Sequence, residues 1–170
     1  MKKIFYIGVL SALLLTACGE ETAPKENTST TEQTDTNTKQ ADTNTEVFNW
    51  QDEISKIASN SDTAADKFYA LEKMLMEYTA TDSEIKEFST FIVDDYKSGN
   101  YLSEIDNHER TLTNIFKSYY VEKGSEGAIK DFAFDYLQNM KYTYRGVDTI
   151  DSEAVKSNEE QMNEALKQIQ

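Results

Sequence analysis

The feature that most restricts the fold of this chain is the helical spacing of apolar residues along its last 124 residues. Residues 47–170 contain no proline and only four glycines, so few positions interrupt a regular backbone. Apolar residues recur there at intervals of three and four, which is the period that buries one face of an α-helix. We therefore predict one all-α domain over residues 47–170, long enough to bury a core of its own.

Capping residues and glycines divide this domain into helices. Thr81 to Glu84 has the spacing of a capping box, and Gly99 can end the helix that follows. Ser103 in turn predicts a helix start, and Gly146 predicts a helix end. The predicted helices cover residues 47–59, 63–79, 82–98, 103–122, 126–145 and 152–169. Because the loops between them are short, we predict a compact bundle of about four to six antiparallel helices.

The amino terminus has the layout of an export signal. Two lysines follow Met1, and a run of 12 mostly apolar residues, 4–15, comes next. Twelve residues are too few to cross a bilayer as a helix, which takes roughly 20. The order of a basic, an apolar and a small-residue region is typical of a signal peptide that is removed from the mature protein.

The end of this signal, Leu15-Thr16-Ala17-Cys18, resembles the lipobox of bacterial lipoproteins. The resemblance implies that residues 1–17 are a lipoprotein signal peptide, which is cut between Ala17 and Cys18. It also implies that the Cys18 thiol carries a diacylglyceryl group, and that the acyl chains (palmitate, for example) anchor the protein at the extracytoplasmic face of the cell membrane. The alternative is an ordinary secretory signal with an incidental cysteine. Cys18 is the only cysteine of the chain, and it stands where lipidation needs it.

The segment between this cysteine and the predicted domain has the composition of a disordered linker. Residues 19–46 include nine threonines and only two alanines as apolar residues, with a net charge of −5. Such a segment buries too little apolar surface to offset the entropy of ordering it. We therefore predict that residues 18–46 comprise the lipidated cysteine and a disordered tether, with an end-to-end distance of roughly 30 Å. Acidic, threonine-rich tethers after a lipobox resemble those of Gram-positive lipoproteins.

Composition excludes several functions. The net charge of −14 opposes binding to nucleic acid, because phosphates would be repelled. A single cysteine cannot form an internal disulfide, and one cysteine with one histidine is too few for a zinc site of the usual ligands. A Cys–His protease site is excluded as well, because Cys18 would be lipidated and the predicted tether separates it from the domain that contains His108. Asp148, Asp151 and Glu153 lack the ligand order of a calcium-binding EF-hand loop. We accordingly predict no metal, no cofactor and no catalytic residue.

The acidic residues and the single histidine have ordinary structural interpretations. His108 falls on the inner side of its predicted helix, where we predict a hydrogen-bonded residue at the core edge; the alternative is a general base or pH sensor. The domain has 24 acidic residues, so carboxylate pairs occur by abundance alone. We predict that the following acids form solvated helix faces: Asp94, Asp95, Asp131, Asp135, Glu159 and Glu160.

Aromatic residues are the best candidates for a contact surface. Tyrosine is large, stiff and amphipathic, which suits it to recognition. Adjacent tyrosines on a helix cannot all face one core, so some must lie at the surface; the alternative is that they only rim the core. The predicted contact surface consists of Phe48, Trp50, Tyr119, Tyr120, Tyr142 and Tyr144.

These features favour a surface lipoprotein whose helical domain binds a protein or an envelope component without catalysis. In its organisation alone, such a chain resembles the immunity and exclusion lipoproteins that mobile elements use at the membrane. The alternative is a cell-wall hydrolase, which would need one protonated and one ionised carboxyl group at a fixed separation.

Overall fold

Six α-helices make up the regular structure of residues 48–169, which are the residues that the computed structural model describes. They are α1 (Trp50–Ser59), α2 (Ala64–Glu77), α3 (Asp82–Lys97), α4 (His108–Gly124), α5 (Ala128–Tyr144) and α6 (Glu153–Leu166). No strand occurs within this range, and the prediction of an all-α bundle is confirmed. The predicted signal peptide, the lipidation site at Cys18 and the tether lie outside the described residues.

Side-chain caps begin most of these helices, as their sequences predict. Thr81 and Glu84 form the predicted capping box: the Thr81 hydroxyl accepts from the Glu84 N–H, and the Glu84 carboxylate accepts from the Thr81 N–H. Gly99 and Gly146 have φ angles of 76° and 69° directly after helices, a conformation that glycine adopts without a steric penalty. Local chemistry therefore sets most helix limits to within a few residues.

The start of α4 differs from the prediction. The helix begins at His108, capped by the Asn107 side chain, and not near Ser103. The Ser103 hydroxyl instead donates to the Asn100 carbonyl within a series of turns. Tyr101 is buried in these turns. The turns therefore bring the connection into the core, which a helix starting at 103 would not do.

The helix α4 is the centre of the bundle, because it packs against α1, α2, α3 and α5. Phe116 is fully buried there among four other rings, and its closest centroid distance is 4.6 Å, to Trp50. The last helix, α6, packs mainly against α5. Val155 and Met162 of α6 are buried, and the hydroxyls of Tyr96 and Tyr101 donate to Glu159.

None of the helices within residues 48–169 combines the length and the apolar character that crossing a bilayer requires.

Candidate functional sites

Three residues of the predicted contact surface are buried, and the prediction is wrong for them. Trp50, Tyr120 and Tyr144 are 8%, 3% and 5% exposed. Trp50 stacks on Phe116 in the core. A tyrosine ring can be buried completely when its hydroxyl forms a hydrogen bond inside the core. These three residues therefore stabilise the bundle and do not belong to a surface.

Hydrogen bonds explain why the two tyrosines are buried. The Tyr120 hydroxyl donates to the carbonyl oxygens of Leu75 and Tyr78, at 3.0 and 3.1 Å. The Tyr144 hydroxyl lies 3.0 Å from Nδ1 of His108, so the histidine is hydrogen-bonded at the core edge as predicted. Burial raises the pKa of Tyr120 and of Tyr144 to about 12, which keeps both hydroxyls protonated.

The apolar groove is the first of two grooves beside α5. It lies between α2, α4 and α5 and has a volume of about 440 Å³. Its most exposed apolar residues are Met76 of α2, which is 84% exposed, and Phe134 of α5, which is 48% exposed. Exposed apolar side chains on adjacent helices create a surface that water solvates poorly. This groove is therefore the best candidate for contact with another molecule.

Two of the remaining predicted surface residues lie at this groove. Half-buried Tyr119 lines it. The Tyr142 ring lies beside it, with its centroid 5.0 Å from Nζ of the groove residue Lys141. Phe48 is 49% exposed but packs on Tyr78, 5.7 Å between ring centroids, and does not line the groove. Of these three residues, Tyr119 alone lines the groove, Tyr142 contacts a residue of its lining, and Phe48 lies elsewhere.

Met76 and Phe134 were not among the predicted surface residues. Both stand off the apolar stripe that defines the buried face of their helix: Phe68, Leu71 and Leu75 form that stripe on α2. A large apolar residue away from the buried stripe was the available signal. It shows that the helix has apolar character outside its core-facing side.

The acidic groove, between α5 and α6, is the larger one, with a volume of about 690 Å³. Four carboxyl groups line it, and the remaining lining residues are alanine, serine and amide side chains. The four acids are Asp131, Asp135, Glu160 and Glu164. No lysine or arginine lines the groove. It therefore presents an excess of negative charge beside neutral hydrogen-bonding groups, although Glu164 pairs with Lys167 outside the groove lining.

Asp135 is the exceptional member of this set. It is only 6% exposed, so the prediction of a solvated helix face is wrong for it. Burial, together with the negative charge of Asp131 one turn earlier, raises the pKa of Asp135 to about 6. Both effects disfavour the ionised form, because a carboxylate loses hydration on burial and is repelled by a like charge. Asp131 and Glu160 are exposed, in agreement with the prediction.

Replacing Asp135 by asparagine should stabilise the domain at pH 7. In the folded state Asp135 keeps its proton up to a pH near 6, whereas the ordinary pKa of this side chain, which applies to the unfolded chain, is 3.8. The unfolded chain therefore ionises more readily, and ionisation of Asp135 favours unfolding. One pKa unit corresponds to about 1.4 kcal/mol, and partial hydration from the groove reduces the effect, so we expect a gain of about 1–3 kcal/mol. Urea unfolding at pH 7 and at pH 4 measures it.

The gain should vanish near pH 4, where Asp135 of the folded wild-type chain is already protonated. Asp94→Asn is the matched control, because Asp94 is an exposed acid on α3. That variant should change stability by less than about 0.5 kcal/mol at both pH values. An equal gain for both variants would contradict this prediction, since it would reflect net charge alone.

Asp95 is the centre of a buried polar network that connects α3, α4 and α5. Its Oδ1 accepts from Nη2 of Arg110 at 2.7 Å. Its Oδ2 accepts from the Tyr136 hydroxyl at 2.6 Å and from Nδ2 of Asn114 at 3.1 Å. Its side chain is 13% exposed, so the prediction of a solvated face is wrong here also. A carboxylate with three donors is a structural element and has little capacity for a ligand.

Asp148, Asp151 and Glu153, which lack the order of a calcium-binding loop, lie in the connection before α6 and at the first residue of that helix. The Asp151 carboxylate accepts from the Thr149 hydroxyl at 2.7 Å just before α6. Among residues 48–169, no three acidic, histidine or cysteine side chains are placed together so that they could hold a metal ion.

Comparisons of the chain with protein-family models, with curated proteins and with solved structures find no match.

Proposed function

We propose that this protein is a membrane-anchored surface lipoprotein whose helical domain binds a protein or an envelope component without catalysis. The observation that carries the binding role is the apolar groove, with Met76 and Phe134 exposed on adjacent helices. Lipid anchoring is supported by the resemblance of residues 15–18 to a lipobox.

The shape and charge of the groove favour an amphipathic helix of a partner protein. A helix presents apolar residues at intervals of three and four to such a groove between helices. Glu72 and Glu122 line the groove together with Lys141 as its basic residue. Residues 48–169 carry 13 basic and 24 acidic side chains, a net charge of −11. A partner helix with basic residues beside its apolar stripe would therefore be the best complement.

Anchoring would make a weak contact sufficient. A tether of roughly 30 Å confines the domain to a small volume above the membrane, where its effective concentration toward a membrane partner is in the millimolar range. An affinity in the micromolar range would then give nearly complete occupancy. The mechanism needs no chemical step.

A photo-crosslinking residue at position 76 should test the binding role in living cells. We expect a covalent adduct of defined mass, because Met76 is 84% exposed in the groove. The same photo-crosslinking residue in place of Thr90, which is exposed on α3, is the position control and should give no adduct. Mass spectrometry of the adduct identifies the partner.

Phe134→Ser should reduce the adduct at position 76 at least tenfold, since it removes an apolar wall of the groove. Phe91→Ser is the matched control: Phe91 is an exposed phenylalanine, at 37%, that does not line this groove. Equal loss in both variants, or an equal adduct at position 90, would contradict a role for the apolar groove.

One version of this function is an immunity or exclusion factor of a mobile element. The support is the organisation of the chain: signal, tether and a small helical domain with a binding groove. Deleting the gene should then sensitise cells to the corresponding phage, conjugative donor or bacteriocin. Unchanged sensitivity in a challenge panel would remove this version and leave the general binding role intact.

A cell-wall hydrolase with paired carboxylates is the rival function, and Asp135 is the observation that favours it. A general acid needs a raised pKa, and that of Asp135 is raised to about 6 beside other acids of the acidic groove. This rival predicts that the protein releases fragments from peptidoglycan and that Asp135→Asn abolishes the release. Absence of release by the wild-type protein would exclude it.

A further inference from the structure

The acidic groove contains a carboxyl group without a partner, on a residue that is almost entirely buried. Asp135 is 6% exposed, and it lines the groove. Within residues 48–169, neither a hydrogen-bond donor nor a basic group pairs with its carboxylate. The carboxylate of Asp95, which is less buried, accepts hydrogen bonds from three donors. An unpaired buried carboxylate is costly unless something compensates for its charge.

The surroundings of this carboxylate suit an organic cation. Asp131, Glu160 and Glu164 add negative charge, and Glu164 is the one that has a basic neighbour, Lys167. Side-chain amides of Gln161, Asn163 and Gln168 supply neutral hydrogen-bonding groups. The groove also extends to the last turn of α6, where backbone carbonyls carry partial negative charge.

The size and the arrangement of the groove argue against a bare metal ion. Its volume of about 690 Å³ lies within the range of small-molecule sites, roughly 300–1,000 Å³. Calcium requires six or more oxygen ligands that converge on one point. The described part of the chain places no three acids in such an arrangement. A larger organic cation with several donors matches a groove of this volume with four carboxyl groups in its lining better.

We propose that the acidic groove binds an organic cation, through a primary ammonium or a guanidinium group, with Asp135 as the buried counter-ion. Two sources supply this chemistry: a free polyamine, and a lysine or arginine side chain of another polypeptide. The site is separate from the apolar groove and does not depend on the function proposed for that groove.

Titration of the full chain, kept soluble in a non-ionic detergent at pH 7.5, tests the proposal with three probes. These are spermidine, a short neutral peptide with one central arginine, and calcium chloride. Calorimetry gives the affinity, and the NMR signals of the Gln161, Asn163 and Gln168 side-chain amides report the location. We expect saturable binding of at least one organic cation, with shifts confined to these amides. The probe that binds identifies the source.

Asp135→Asn should weaken this binding at least tenfold, because it removes the counter-ion and retains the shape. Asp94→Asn makes the same charge change at an exposed site on α3 and should weaken it less than twofold. Asp135→Asn is expected to be stabilising, and a thermal melt of each variant distinguishes loss of binding from unfolding. Equal weakening by both variants, tighter binding of calcium than of either organic probe, or no saturable binding would each overturn the proposal.

Discussion

Asp95→Ala is expected to lower the free energy of unfolding by about 3–5 kcal/mol, which is a large part of the stability of a domain of this size. The substitution removes the acceptor for Arg110, Asn114 and Tyr136 at once. The Arg110 guanidinium is only 20% exposed and would lose its closest carboxylate, 2.7 Å away, which leaves Glu104 at 4.0 Å and two backbone carbonyls as its partners. A largely buried cation that loses its closest counter-ion costs more than the lost hydrogen bonds themselves. Urea unfolding followed by circular dichroism measures the change.

The neighbouring residue provides an internal control for this prediction. Asp94 is exposed on the same helix, so Asp94→Ala should change stability by less than about 0.5 kcal/mol. Tyr136→Phe removes one of the three donors and should cost an intermediate amount, about 1–2 kcal/mol. A loss for Asp95→Ala no greater than that for Asp94→Ala would show that the network contributes nothing to stability.

The pair Asp94 and Asp95 illustrates where sequence-based prediction of this protein ends. The two residues are chemically identical and adjacent, and both are interpretable as solvated helix residues. Only the packing of α3 against α4 and α5 brings Arg110 and Tyr136 to the second one. Asp135 is a similar case on α5: it is 6% exposed at the groove where α5 packs against α6. Abundant acids therefore give no indication of which one is buried.

Helices were predictable because their determinants are local. The capping box at Thr81, the glycines after α3 and α5, and the spacing of apolar residues each act within a few residues. The start of α4 was predicted five residues early, since Ser103 is a suitable cap by itself. What excludes it is the burial of Tyr101, which depends on tertiary contacts with α5 and α6.

The candidate surface was predictable only in part for the same reason. Residue type predicts Tyr119, which lines the apolar groove, and Tyr142, which contacts the groove residue Lys141. It could not exclude Tyr120, whose hydroxyl reaches carbonyls at the end of α2. An aromatic residue joins the core or the surface according to whether a distant backbone group completes its hydrogen bond. Apolar residues off the buried stripe, such as Met76 and Phe134, would be a better indicator than aromatic content.

The membrane attachment that we propose depends on the balance between lipid burial and electrostatic repulsion. Removal of the two signal lysines would leave the mature chain with a side-chain charge of −16. Charges near an anionic surface are worth about 1 kcal/mol each, and only within a Debye length of about 8 Å. Even the five net negative charges of residues 19–46 could therefore oppose attachment by only about 5 kcal/mol. Two acyl chains provide on the order of 20 kcal/mol, at about 0.8 kcal/mol for each methylene.

Cys18→Ala should therefore abolish the attachment, because no other group of the proposed mature chain could replace the acyl chains. We expect incorporation of a clickable palmitate analogue to fall to background, and the lipidated mature form to disappear from the membrane fraction. Both are measured by fluorescence of the labelled chain after gel electrophoresis and by the intact mass of the protein.

Ala17→Ser is the matched control for Cys18→Ala, since serine keeps a small residue beside the cleavage site. It should retain both labelling and cleavage, which separates a requirement for the thiol from a general disturbance of the signal. An ordinary secretory signal makes the opposite prediction: the wild-type chain would be cleaved without label, and Cys18→Ala would be exported like the wild type. If Cys18 is lipidated, the wild type and Ala17→Ser are both labelled and attached to the membrane, whereas Cys18→Ala is neither.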